Sequence, residues 1–171
     1  MSCRMIKPLL VATICAAICG CAQVDDDRIP AMPVSINLTD QGMWNVYGVS
    51  GTGMSRRFVK ELGEPSGFHY SEATYTGFGG VLLFGGIDPF DGTTDIPLAY
   101  DLACPVECRR DVRVYIDAEN RLEAVCPECG SRYNVMTGGG APVYGKARSL
   151  NYGLTRYQCL RSESGGYMIR D

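Results

Sequence analysis

From Val34 onward, apolar and polar positions alternate with period two far more often than with period 3.6. Val34-Ser-Ile36-Asn-Leu38, Val112-Arg-Val114-Tyr-Ile116 and Leu154-Thr-Arg-Tyr157 are short alternating stretches bounded by Gly, Asp, Asn and Pro, the pattern of strands with one face buried. Asp117-Ala-Glu-Asn120 separates the run ending at Ile116 from Leu122 to Val125, and a four-residue polar turn there predicts a hairpin. Val81 to Phe84 is a continuous apolar run between glycine pairs, again a strand, whereas Met54 to Leu62 is the only segment whose spacing predicts a helix of any length. Several short strands with long loops predict an all-β body, an antiparallel sandwich or barrel. Trp44 and Tyr47 belong to its packing, and the ten tyrosines suit strands.

The first twenty residues obey a different rule. Arg4 and Lys7 precede an apolar run from Pro8 to Ile18 that is too short for a spanning helix of ~20 residues, and small residues follow. This is the pattern of a signal peptide, 1–20. Its end, Ile18-Cys19-Gly20-Cys21, resembles the bacterial lipobox, which makes Cys21 the expected lipidated N-terminus of the exported chain. Residues 21–33 carry an acidic run and two prolines without apolar periodicity, as an extended tether would. The domain proper is then 34–171, held by Cys21 to a membrane of the bacterial cell envelope, periplasmic or surface-facing.

Composition narrows the function classes. The chain of 171 residues has 16 Lys and Arg against 19 Asp and Glu, and loss of Arg4 and Lys7 with the signal makes the remainder more acidic still. That charge offers no basic field for a polynucleotide backbone, so nucleic acid is not an expected partner. The single histidine, His69, excludes any site needing two imidazoles, including the common catalytic zinc sets. It sits between aromatics, away from every cysteine, and reads as a structural or exposed strand residue.

Cysteine supplies the candidate chemistry. Cys104-Pro-Val-Glu-Cys108 and Cys126-Pro-Glu-Cys129 flank the expected 112–125 hairpin, whose reversal brings both boxes to one end. Two soft donors on each of two loops have metal-ligand spacing. In an oxidising compartment, the same four thiols have disulfides as an alternative. Cys159 lies in a late strand and reads as core. Gly140 to Ala147 is one residue short of a phosphate-binding loop, lacks the required context, and reads as a turn-rich loop. Asp88 to Asp95 reads as a surface turn rather than a calcium site.

The run Cys126-Pro-Glu-Cys129-Gly130-Ser131-Arg-Tyr133-Asn-Val-Met-Thr137-Gly138, followed by Pro142, Gly145, Ala147, Leu150 and Tyr152, resembles the second half of a Rieske iron–sulfur domain. Ala99-Tyr-Asp-Leu-Ala-Cys104-Pro resembles the approach to that family's first ligand box. The resemblance spans roughly residues 78–157. It implies an antiparallel β fold with a smaller cluster-binding subdomain, about 100–147, at one tip. Two loops there hold a [2Fe–2S] cluster, and a third loop, here Gly138 to Lys146, packs beside them. It also implies that Ser131 and Tyr133 hydrogen-bond cluster or ligand sulfur.

The family ligates one iron through two cysteines and the other through two histidines. Cys104 and Cys126 fall on the cysteines, while Val106 and Cys129 fall on the histidines. Cys108 is the candidate fourth donor. The lone Arg4 of the signal lacks the twin arginines of the route that exports preloaded cofactors. The expectation is therefore a non-redox binding or structural module of an envelope assembly, with zinc or disulfides on these cysteines. The alternative is an electron-transfer protein, with a redox partner, carrying [2Fe–2S] on Cys104, Cys108, Cys126 and Cys129. No acid, base and nucleophile set for an enzyme is present.

Overall fold

The structure is a computed structural model describing residues 23–88, 90–137 and 139–171; residues 1–20, expected to be a signal peptide, and Cys21 lie outside the described residues. Among the described residues, eleven strands follow one another as β1 (Val34–Asp40), β2 (Ser55–Phe58), β3 (Tyr75–Thr76), β4 (Val81–Ile87), β5 (Thr94–Asp101), β6 (Tyr115–Ile116), β7 (Glu123–Val125), β8 (Arg132–Asn134), β9 (Ala141–Tyr144), β10 (Arg156–Arg161) and β11 (Gly165–Arg170). Two short helices, α1 (Gln41–Tyr47) and α2 (Gly145–Leu150), interrupt them. The fold is all-β, as the alternation predicts. Seven strands form a nearly closed antiparallel barrel in the order β2-β4-β5-β10-β11-β1-β3, and β6-β7-β8-β9 form a separate antiparallel sheet. Since β5 and β10 are neighbours in the barrel, the whole second sheet is a sequence insertion between two adjacent strands.

The alternation of β1 sends Val34, Ile36 and Leu38 into the barrel core with Trp44, Phe58 and Ile169. Strand β4 explains the unbroken apolar run. Val81 and Leu83 face that same core, while Leu82 and Phe84 face a second core containing Tyr100, Leu102, Val114, Tyr133 and Leu154. A strand covered on both faces has no polar side to show. The expected tip hairpin forms as β6 and β7, paired Tyr115 with Val125 and Ile116 with Ala124. The Asp117–Asn120 turn closes it through Glu123 N–H to Asn120 O, 3.0 Å.

Three local expectations are corrected. Met54 to Leu62 is not a helix: Ser55–Phe58 is strand β2, followed by a single 3₁₀ turn at Lys60–Leu62. Its apolar residues mimic helical spacing, yet Met54 and Leu62 are exposed, while Phe58 enters the barrel core and its neighbour Val59 the second core, as on a strand covered on both faces. Gly140 to Ala147 is not a loop but strand β9 running into helix α2. Residues 23–29 are not a free tether. Asp25 N–H donates to Asn151 O at 2.9 Å, Gly153 N–H to Asp25 O at 2.8 Å, and Asn151 Nδ2 to Gln23 O at 2.8 Å. Thr155 Oγ1 donates to Asp26 O at 2.6 Å, Ile29 is buried, and the Arg28 guanidinium lies 4.5 Å from the Tyr152 ring centroid. Backbone groups do most of this docking, which is why no hydropathy pattern announces it.

Candidate metal centre

Both cysteine boxes fold as tight turns begun by Cys-Pro, where proline fixes φ near −65° and opens the turn. Cys108 N–H closes the first onto Cys104 O at 2.9 Å, and Gly130 N–H closes the second onto Cys126 O at 3.1 Å. Gly130 has φ +66°, a conformation glycine adopts without strain. Each turn aims backbone amides at its own first sulfur: Val106 and Glu107 at Cys104, Glu128 and Cys129 at Cys126. Such donors favour the thiolate form.

The turns meet because Cys104 N–H bonds Val112 O and Val114 N–H bonds Leu102 O, which carries the hairpin back beside the first box. Cys104, Cys126 and Cys129 thereby place their sulfurs within 4.8 Å of one another. The Cys104 and Cys129 sulfurs are 3.7 Å apart. Cys104 and Cys126 are buried, Cys129 is half-buried, and all three are free thiols. Burial pushes the Cys104 thiol up and Cys126 up to about 12. At Cys129 burial also works upward, but bonds with Ser131, Cys126 and Cys104 outweigh it and leave the thiol below its ordinary range. Cys129 is the first of the three to ionise.

Ser131 and Tyr133 sit where the sulfurs are. Tyr133, fully buried, has its hydroxyl 3.3 Å from Cys104 Sγ. Ser131 Oγ lies 3.2 Å from Cys129 Sγ and accepts Ala147 N–H of α2 at 3.0 Å. With that acceptor place filled, the Ser131 proton is free to turn toward a Cys129 thiolate. Gly145, at φ +76°, lets α2 approach this closely, since a Cβ there would lie 3.0 Å from Ser131 Cα. Sequence reasoning missed one supporting residue, Asp101. Its buried carboxylate accepts Phe78 N–H at 2.9 Å, Gly79 N–H at 2.9 Å, Ala103 N–H at 2.7 Å and Tyr157 O–H at 2.6 Å. Burial pushes this carboxyl above its ordinary range against the pull of those bonds. An acid three residues before Cys104, in an otherwise apolar stretch, is the cue the sequence offers.

The remaining candidates lie elsewhere. Cys108 has φ +49°, and its Sγ faces Pro105 O at 3.1 Å and Arg28 O at 3.6 Å, outside the three-sulfur group. Val106 packs against the second core. Cys159 packs on the barrel core, where burial pushes its thiol up to about 12, and His69 is exposed. Of the Asp88 to Asp95 segment, Asp88 and residues 90–93 form the expected turn, with Phe90 N–H on Asp88 Oδ1 and Thr93 N–H on Asp91 Oδ1, while Thr94 and Asp95 already belong to β5.

The donor set can be weighed against each group. Zinc–sulfur bonds of about 2.3 Å at tetrahedral angles hold sulfurs about 3.8 Å apart, which the Cys104–Cys129 pair matches at 3.7 Å, with all three sulfurs within 4.8 Å. A [2Fe–2S] cluster asks for four protein donors, two per iron, and three thiols with the fourth turned to carbonyls do not fit it. Comparison with protein-family models, curated proteins and solved structures finds no match to this chain.

Proposed function

We propose that this chain is an exported, lipid-anchored, non-redox module that binds one soft metal ion, zinc, through the thiolates of Cys104, Cys126 and Cys129. The observation that carries this reading is the convergence of three thiols from two amide-lined turns, backed by the hydroxyls of Tyr133 and Ser131. The ion would tie the two turns together as a structural clamp, and the half-buried side at Cys129 would leave one position for an outside donor. Such a donor on an envelope protein would make the ion a docking point in an assembly. The lipobox at Cys21 supports export and anchoring. Among the described residues, no helix is long and apolar enough to cross a membrane.

Metal analysis of protein exported with its own signal tests the proposal. We expect one zinc per chain, lost in Cys126→Ser and retained in Cys108→Ala. Metal-free protein would overturn the zinc reading, and stoichiometric iron with acid-labile sulfide would restore the electron-transfer alternative.

A further inference from the structure

The docked N-terminal segment fixes more than the local fold. Gln23 O is held by Asn151 at the C-terminal end of α2, and Asp25 is bridged to Tyr152 and Gly153. Cys21 is two residues earlier in sequence, and two residues reach about 7 Å at most. A lipid on Cys21 would therefore start no more than that backbone reach from Gln23, which is itself held at the end of α2. Around this exit, Tyr144 and Leu150 are large exposed side chains, and Lys146, Arg148 and Ser149 are exposed beside them. In α2 only Ala147 is buried. Tyr144 at the end of β9, with Lys146, Arg148 (whose guanidinium also donates to Val143 O at 3.1 Å) and Leu150 on α2, makes a set of amphipathic and long cationic side chains that matches the water–lipid boundary, where such side chains settle.

We propose that the domain lies on the membrane in one orientation, with the outer face of α2 and residues 23–28 against the lipid headgroups, instead of swinging on a leash. This rests on the anchoring reading of Cys21. Three acids, Asp25, Asp26 and Asp27, balance Arg28, Lys146 and Arg148, so the contact is made by reach and amphipathic shape and does not need anionic lipid. Because Ala147 N–H bonds Ser131, which bonds Cys129, the thiol centre sits one short helix from the membrane.

The test is photolabelling of full-length lipidated protein in phosphatidylcholine vesicles carrying a headgroup-level diazirine lipid, with and without phosphatidylglycerol. The mass of the N-terminal peptide first establishes whether Cys21 carries lipid. Adducts are expected chiefly on residues 141–151, several-fold above Phe90, and equally in both vesicle types. Phe90 is 97% exposed and would take the label in any freely swinging arrangement. A flexible ten-residue Gly-Ser insert between Ala22 and Gln23, with a reach of roughly 17 Å, should keep lipid and fold while erasing the bias. Lipidated protein labelled at Phe90 as heavily as at α2 overturns the orientation, and a bias unchanged by the insert overturns the part given to the docked segment in setting it. A bare Cys21 overturns the anchor itself and the orientation with it.

Discussion

Replacing Asp101 by Asn removes one charge and exchanges one acceptor for a donor at a site that has only donors facing it. With the amide oxygen at the Oδ1 position, Gly79 and Ala103 N–H keep their acceptor, and Tyr157 can turn to accept from the new NH₂. Phe78 N–H, 2.9 Å from Oδ2, then faces an NH₂ and loses its partner. The opposite placement strands Ala103 and leaves Gly79 with its longer contact. A buried donor left unsatisfied costs about 1–3 kcal/mol, and hydrogen bonds to a charged acceptor are stronger than those to a neutral amide. The expected loss is about 2–3 kcal/mol, and for a chain of this length about 5–10 °C in Tm. Thermal denaturation at pH 7 measures it, with Asp91→Asn on the exposed turn as a control expected within about 0.5 kcal/mol of the parent. An Asp101→Asn protein melting with the parent would refute the claim that these four donors depend on the carboxylate.

Tyr133→Phe keeps the buried ring and removes only the hydroxyl beside Cys104 Sγ, so zinc affinity should fall by about tenfold or more while Tm without metal changes little. Competition with a chromogenic chelator reads this, and unchanged affinity would remove Tyr133 from the site's support. In metal-free protein, Cys129, whose ionisation is displaced downward, should be alkylated by iodoacetamide at lower pH than an ordinary thiol. Cys126, pushed up to about 12, and Cys104 should stay unreactive until well above it. Peptide mapping across pH checks the order, and Cys126 or Cys104 reacting first would contradict it.

Much of the barrel was legible because burial there is one-sided or two-sided in simple ways. The alternation at Val34, Ile36 and Leu38 and the solid run at Val81 to Phe84 each translate directly into which faces are covered. The meeting of the two boxes was legible because a polar turn at 117–120 forces the chain to reverse between them. What escaped was held by backbone or by single side chains. Asp40 caps α1 by accepting from Gly42 and Met43 N–H, a cue present in the sequence but attached to a helix of barely two turns. Helix α2 begins at a glycine of positive φ with no side-chain cap, so its start carries none of the usual signals, although Asn151 in the left-handed region is a common stop. The exclusion of Cys108 turns on that residue's own left-handed backbone, which no ligand spacing encodes.

The position of β4 has a consequence for anyone wishing to excise the thiol tip as a free-standing peptide. Strands β6 to β9 are two to four residues long and own too few apolar side chains to form an interior alone. Their floor is lent by the barrel: Leu82 and Phe84 from β4 and Tyr100 from β5. Cut away, the tip would lose its floor, and the barrel would be left with an apolar outer wall open to water. The two sheets are therefore tenants of a common wall, so melting of one should expose the other, and a transplanted tip must bring a β4 and β5 equivalent with it.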